Sequence, residues 1–163
     1  MPGQGACDSS IQKLKDLKLI NPLKDYIQQG QNPYLGICLG LQLLFQSSEE
    51  GNEDCLGVFK GVVRRLPSGQ KLPHIGWNDV KFVRTSEIWN GIDDLSYFYF
   101  VHTYFADPLD DSIVTGQTIY GQKFTSAVNW GYANAVQFHP EKSGTAGLKV
   151  YKNFINLIRS LRK

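Results

Sequence analysis

The chain has 163 residues, 42% of them hydrophobic, with 17 Lys plus Arg against 15 Asp plus Glu and a formal charge of +2. That length suits one domain with a real core, the near-balanced charge gives no basic field for nucleic acid, and no apolar run is long enough for a membrane span. Cys7, Cys38 and Cys55 are irregularly spaced, which argues against a disulfide framework or zinc site and for a reducing compartment, and Met1-Pro2-Gly3-Gln4-Gly5 lacks the features of a secretion signal.

In chain order, Asp8-Ser9-Ser10 offers N-caps to a helix carrying Ile11, Leu14 and Leu17 at helical spacing. Asn21-Pro22 is expected to break it, and Leu23, Tyr26 and Ile27 to restart it until Gly30. Tyr34-Leu35-Gly36-Ile37, bounded by Asn32-Pro33, is too short for a helix and reads as a buried strand. Leu41, Leu43, Leu44 and Phe45 then predict an apolar helix ending near Ser47-Ser48. Short aromatic or β-branched runs follow at Val58-Phe59, Val80 to Val83, Tyr97 to Val101, Phe124 to Trp130 and Tyr132 to Phe138, all read as strands. An amphipathic helix closes the chain, with Leu148, Tyr151, Phe154, Ile155, Ile158 and Leu161 on one side and basic residues in its last turn. No repeat or domain boundary interrupts residues 1–163, and the pattern predicts an α/β domain with an antiparallel flank.

Chemistry concentrates at Gly36-Ile37-Cys38-Leu39-Gly40, at a strand-to-helix junction. A nucleophile on such a turn needs nearly side-chain-free neighbours two residues away, as in a G-x-S-x-G elbow with sulfur in place of oxygen. The following helix N-terminus supplies N–H groups for a thiolate and an oxyanion. The bland alternative makes Cys38 a small buried hydrophobe on a packed turn. A base is available in His139, and Glu141 two residues on would face the same side of an extended segment and orient the imidazole. Together they predict nucleophile, general base then acid, and orienter. His102 is expected to be a hydrogen-bonded residue at a strand end. His74, in Pro73-His74-Ile75-Gly76-Trp77-Asn78, reads as part of a surface loop, with partner binding as the sharper option. Cys7 and Cys55 read as structural, and Glu49-Glu50 as solvated. Pro2-Gly3-Gln4-Gly5 is either a frayed terminus or a loop whose backbone approaches a reacting carbonyl.

Gly36-Ile-Cys-Leu-Gly40 with Leu41-Gln42, and Gln137-Phe-His-Pro-Glu141 much later, resemble the class I glutamine amidotransferases. Leu39 to Gly51, Pro73-His-Ile-Gly-Trp-Asn78 and Tyr99-Phe-Val-His-Thr-Tyr104 are similar to the glutaminase subunits of imidazole glycerol phosphate synthase, and the likeness runs from Pro2 to the last helix. The resemblance implies a doubly wound mixed sheet with helices on both faces. It implies attack of Cys38 on the glutamine amide, with His139 protonating ammonia and water hydrolysing the thioester. Leu39 and the Gly3-Gln4-Gly5 loop would hold the oxyanion, Gln42 the bound glutamine, and the backbone of Thr103-Tyr104 its α-carboxylate end. Gly36 belongs to the same turn. Ammonia would pass to a (β/α)8 cyclase that makes imidazole glycerol phosphate in histidine biosynthesis, met by Trp77, Asn78 and Lys142. Neither metal nor organic cofactor is implied, and the setting is the cytoplasm, or a plastid in a eukaryote.

Members of this family begin some tens of residues earlier, with a strand bearing an Asp-Tyr-Gly-x-Gly-Asn type motif, a helix and a second strand. The expectation is thus a single amidotransferase domain over 1–163, N-terminally incomplete relative to the family and lacking its first strands. Two other functions stay open on the residues: an amidotransferase subunit for another acceptor, such as chorismate or a nucleotide, and a truncated, non-catalytic binding subunit. A cysteine peptidase is disfavoured by the His139-Pro140-Glu141 arrangement.

Overall fold

The computed structural model describes residues 1–3 and 5–161. Its strands are β1 (Pro2–Gly3), β2 (Tyr34–Cys38), β3 (Ser47–Ser48), β4 (Gly61–Arg65), β5 (His74–Phe82), β6 (Ser96–His102), β7 (Tyr104–Pro108), β8 (Val114–Tyr120), β9 (Gln122–Trp130) and β10 (Ala133–Val136). The helices are α1 (Cys7–Asp16), α2 (Ile20–Gln28), α3 (Leu39–Gln42) and α4 (Gly144–Ser160).

β2 is apolar throughout because it is covered on both faces, and its period-two alternation sorts its side chains between two cores. Tyr34 joins Ile11, Ile27, Leu41 and Leu44 on the side of α1, α2 and α3. Leu35 and Ile37 join Phe98, Phe138, Val136 and Val150 on the side of α4. The sheet runs β1-β2-β10-β9-β7-β4-β3, with β8 beside β9 and β5 linking β8 to β6. Pairings β1–β2, β2–β10 and β3–β4 are parallel. The pairings of β9 with β10, β7 and β8, of β4 with β7, and of β5 with β6 and β8 are antiparallel. This is the expected mixed sheet with helices on both faces and an antiparallel flank.

Several boundaries differ from the sequence expectation, some of them because of partners outside their own segment. α1 starts at Cys7 with Ala6 as cap, because Glu50 Oε2 takes the Cys7 N–H at 2.9 Å. The Asp8 carboxylate instead caps a distant loop, accepting from Asn52 and Glu53 N–H groups at 3.0 and 3.1 Å. The break falls at Lys18, which adopts φ 55, and the Leu19 N–H closes the turn on Leu14 O at 2.8 Å. Pro22 sits in the first turn of α2, where its missing N–H costs little. α3 is one turn rather than a helix reaching Ser47, because the carbonyls of Leu43, Leu44 and Phe45 accept from Leu56, Phe59 and Gly57. Those bonds also hold Val58-Phe59 in a bend, so the next strand begins only at Gly61. β5 starts at His74, well before Val80, and β7 and β8 lie where no strand is expected. The inner face of α4 carries Gly147, Val150 and Leu157 with Tyr151 and Phe154 beside them, leaving Leu148 and Ile155 exposed.

Candidate active site

Cys38 ends β2 with φ 53 and ψ −106, a conformation that costs a non-glycine residue about 1–3 kcal/mol and persists only where the surroundings enforce it. The flanking glycines show why the turn is tight. A Cβ on Gly36 would lie 2.6 Å from Gly40 O, and one on Gly40 would lie 2.1 Å from Met1 O. Around the sulfur, the Leu39 backbone N–H and the Gln137 side chain donate, the latter at 3.5 Å from Nε2 to Sγ. Sγ itself faces Val101 O at 3.9 Å. Burial pushes the Cys38 thiol up to about 11, outweighing these donors, so the resting group is a protonated thiol.

His139 follows β10, and its main chain is pinned: its N–H donates to Tyr99 O at 2.8 Å and its carbonyl accepts from Ser143 Oγ at 2.6 Å. Pro140–Lys142 form a 3-10 turn rather than an extended segment. The contact expected between His139 and Glu141 forms across that turn, Nδ1 to Oε1 at 2.7 Å. Since a carboxylate accepts, the Nδ1–H points at Glu141, which leaves Nε2 as the ring nitrogen available to take a proton. Nε2 is buried with no hydrogen-bond partner.

Cys38 and His139 line one cleft of about 390 Å³, together with Gly5, Leu39, Gln42, Thr103, Tyr104 and Lys142. Gly36 supports the turn from beneath, and the parallel register sets Gly3 beside Cys38. Gln4 lies outside the described residues. Glu50, expected to be solvated, also lines the cleft and anchors the start of α1. Trp77 and Lys142 gather around Tyr99 at the rim, Trp77 edge-on at 6.0 Å between ring centroids and Lys142 Nζ 5.8 Å from the ring centre. Asn78 neighbours Trp77 on β5 but turns inward, donating to Ile119 O at 3.0 Å.

Two histidines need correction or completion. His74 is not on a surface loop: it is buried in β5, stacked on Tyr120 and Phe100, and in contact with His102. His102 does end a strand, and its Nδ1 meets Tyr104 O at 2.9 Å. The site residue missing from the sequence reading is Gln137. Its position two residues before His139 is the signal that would have placed it on the same side. Cys7 and Cys55 are both buried and free, their sulfurs 3.1 Å apart. Among the described residues, no three His, Cys, Asp or Glu side chains cluster as metal ligands.

The chain matches the family model "Glutamine amidotransferase class-I" over residues 13–157. It is 45% identical over 163 residues to imidazole glycerol phosphate synthase subunit HisH of Gloeothece citriformis, covering 98% of this chain and 77% of that protein. With the HisH subunit of Aquifex aeolicus the identity is 46% over 155 residues, covering 94% and 74%. With that of Methanocaldococcus jannaschii it is 45% over 162 residues, covering 97% and 79%. A solved glutamine amidotransferase superimposes with TM-score 0.70 at 19% identity, over 96% of this chain and 76% of the other. Another, from Thermotoga maritima, gives 0.59 at 20%, over 99% and 74%. With the elbow, the cleft and these likenesses spanning nearly its whole length, the chain belongs to the class-I glutamine amidotransferase family, in the branch of the imidazole glycerol phosphate synthase subunit HisH.

Proposed function

We propose that this chain is the glutaminase subunit of an imidazole glycerol phosphate synthase, releasing ammonia from glutamine for a (β/α)8 cyclase partner in histidine biosynthesis. The observation that carries the reading is the His139 ring: Nδ1 held by Glu141, Nε2 buried without a partner, in the cleft that also holds the Cys38 thiol. Because burial keeps that thiol protonated, a base is required when the substrate arrives.

In this reading Cys38 Sγ attacks the carboxamide carbon of glutamine while its proton passes to His139 Nε2. The amide oxygen becomes an oxyanion held by the Leu39 N–H at the start of α3, with Gly5 lining the same cleft. Such a donor is typically worth about 10²–10³ in rate. The tetrahedral intermediate collapses by breaking the C–N bond, and His139 returns its proton to the departing nitrogen, so ammonia leaves neutral. Water, deprotonated by His139, then cleaves the γ-glutamyl thioester and restores the thiol. Gln42 and the Thr103-Tyr104 backbone line the cleft where glutamine would lie.

Exposed Ile75, Trp77 and Tyr97 on β5 and β6, with Lys142 at the rim, form the surface we assign to the cyclase. An apolar, aromatic patch next to the cleft mouth suits a partner that must receive ammonia before water protonates it. No helix among the described residues is long and apolar enough to cross a membrane, and the reaction we propose belongs to the cytoplasm. The test is covalent trapping with a glutamine analogue carrying an electrophilic carbon, followed by peptide mass mapping. Label on Cys38, blocked by excess glutamine, is expected; label on Cys7 or Cys55 alone would contradict the assignment.

A further inference from the structure

The polar side chains behind the cleft form one connected chain, and a single backbone oxygen fixes the direction of its bonds. Tyr104 O, at the start of β7, lies 2.9 Å from His102 Nδ1 and 2.8 Å from Gln42 Nε2. A carbonyl oxygen only accepts, so both nitrogens donate. Burial pushes the His102 pKa down to about 3, so the ring is neutral, its proton is on Nδ1, and Nε2 is a bare acceptor. His74 Nδ1, 3.1 Å from that Nε2, must then be the donor. This leaves His74 Nε2 to accept from Asn78 Nδ2 at 3.4 Å, and the same amide nitrogen donates to Ile119 O, which independently fixes its orientation.

The other arm is fixed in the same way. Gln42 Nε2 donates its second hydrogen to an atom of Gln137 3.2 Å away, which must be the oxygen Oε1. The nitrogen of Gln137 is therefore turned to Cys38, with its N–H directed at Sγ. Gln137 is 0% exposed and Gln42, His74 and His102 are each 6% or less, so their hydrogen bonds are largely shielded from bulk water even though Gln42 and His102 also border the cleft. The other groups around Cys38 among the described residues are Val101 O at 3.9 Å, the Leu39 N–H, and the titratable His102 of β6, His139, Glu141 and Lys142 beyond β10, and Glu50 beyond β3.

We propose that Gln137 is a further catalytic residue, the side-chain donor that steadies the Cys38 thiolate, and that His74 and His102 are positioning residues acting through the Tyr104 carbonyl and Gln42. The proposal rests on the reading of Cys38 as nucleophile and extends it to groups that hold the sulfur rather than move its proton. Without the His74 donor, His102 can shift its proton to Nε2 and present a lone pair to Tyr104 O. That would loosen the carbonyl that orients Gln42 and, through it, Gln137.

The test measures the rate of Cys38 alkylation by iodoacetamide against pH in the full chain. Gln137→Met keeps the volume and removes the donor; the thiol midpoint is expected to rise by about one unit, roughly a tenfold slower reaction at fixed pH. A folded Gln137→Met chain with an unmoved profile overturns the proposal. Two changes at the far end separate hydrogen bonding from packing. His74→Phe retains a ring against Tyr120 and Phe100 but has no donor, whereas His74→Asn places an amide where Nδ1 stands. The profile is expected to shift in the Phe variant and return in the Asn variant; the reverse order, or equal shifts, overturns it. Nitrogen-15 NMR of the imidazoles reads the tautomer directly: protonated Nδ1 on both rings is expected, and protonated Nε2 on His102 contradicts the chain. If the unmodified chain with its cyclase releases no ammonia from glutamine while these shifts appear, the glutaminase reading fails and the hydrogen-bond chain stands.

Discussion

Cys38 is held in a state that opposes its own ionisation, because the turn that exposes its sulfur to the cleft also buries it. A thiol lifted to about 11 reacts slowly with chance electrophiles at neutral pH and depends on His139 at the moment of attack. The two other histidines are also held neutral by burial, His74 lowered to about 4 and His102 to about 3 from an ordinary 6.5. Below pH 6.5 the unfolded chain takes up protons that the folded chain refuses. Their contribution to stability is therefore complete above pH 6.5 and is lost as pH falls towards 4 and then 3. Thermal melts should drop between pH 7 and pH 4, and less steeply in His74→Phe; parallel slopes would contradict this. The Cys38 turn was legible in the sequence because its constraint is local, two glycines around one residue. His74 was not, because its burial depends on a β5–β6 pairing that sets it opposite His102 across 28 positions of chain.

The strand–turn–helix unit carries the site, and its glycines are its most sensitive points. In Gly36→Ala the new methyl would meet a backbone oxygen that belongs to the turn itself, with Ala135 pressing from the neighbouring strand. Overpacking of this kind costs about 1–3 kcal/mol, so the melting temperature should fall and Cys38 labelling with it. An unchanged melt and labelling rate would mean that the turn is looser than described. At this scale the apolar strands β2, β6 and β9 were readable from their runs of aliphatic and aromatic residues. β8 was not, because its buried side chains include Thr115 and Thr118, whose hydroxyls read as surface. α3 was overestimated because Leu43, Leu44 and Phe45 have the composition of a helix but spend their carbonyls on the distant segment 56–59.

At the scale of the whole molecule, two cores on opposite faces of one sheet place the thiol, the imidazole and the aromatic rim at a single cleft. Trp77, 55% exposed, contributes little to the fold and much to that rim. Trp77→Ala should leave the melt unchanged and weaken binding of the cyclase by about tenfold or more in a calorimetric titration; equal affinity would move the docking surface elsewhere. The residue pattern, helices at both ends and a run of strands between, made an α/β domain with an antiparallel flank legible, and the family resemblance supplied the helices on both faces. The meeting of Lys142, Tyr99 and Trp77 was not, since it is made by three segments far apart in sequence. The most direct test of the account is ammonia release from glutamine by the chain with its cyclase partner, compared between the unmodified protein and Cys38→Ala. Release is expected to fall to background in the variant while the complex stays intact; sustained release at the unmodified rate would contradict the account.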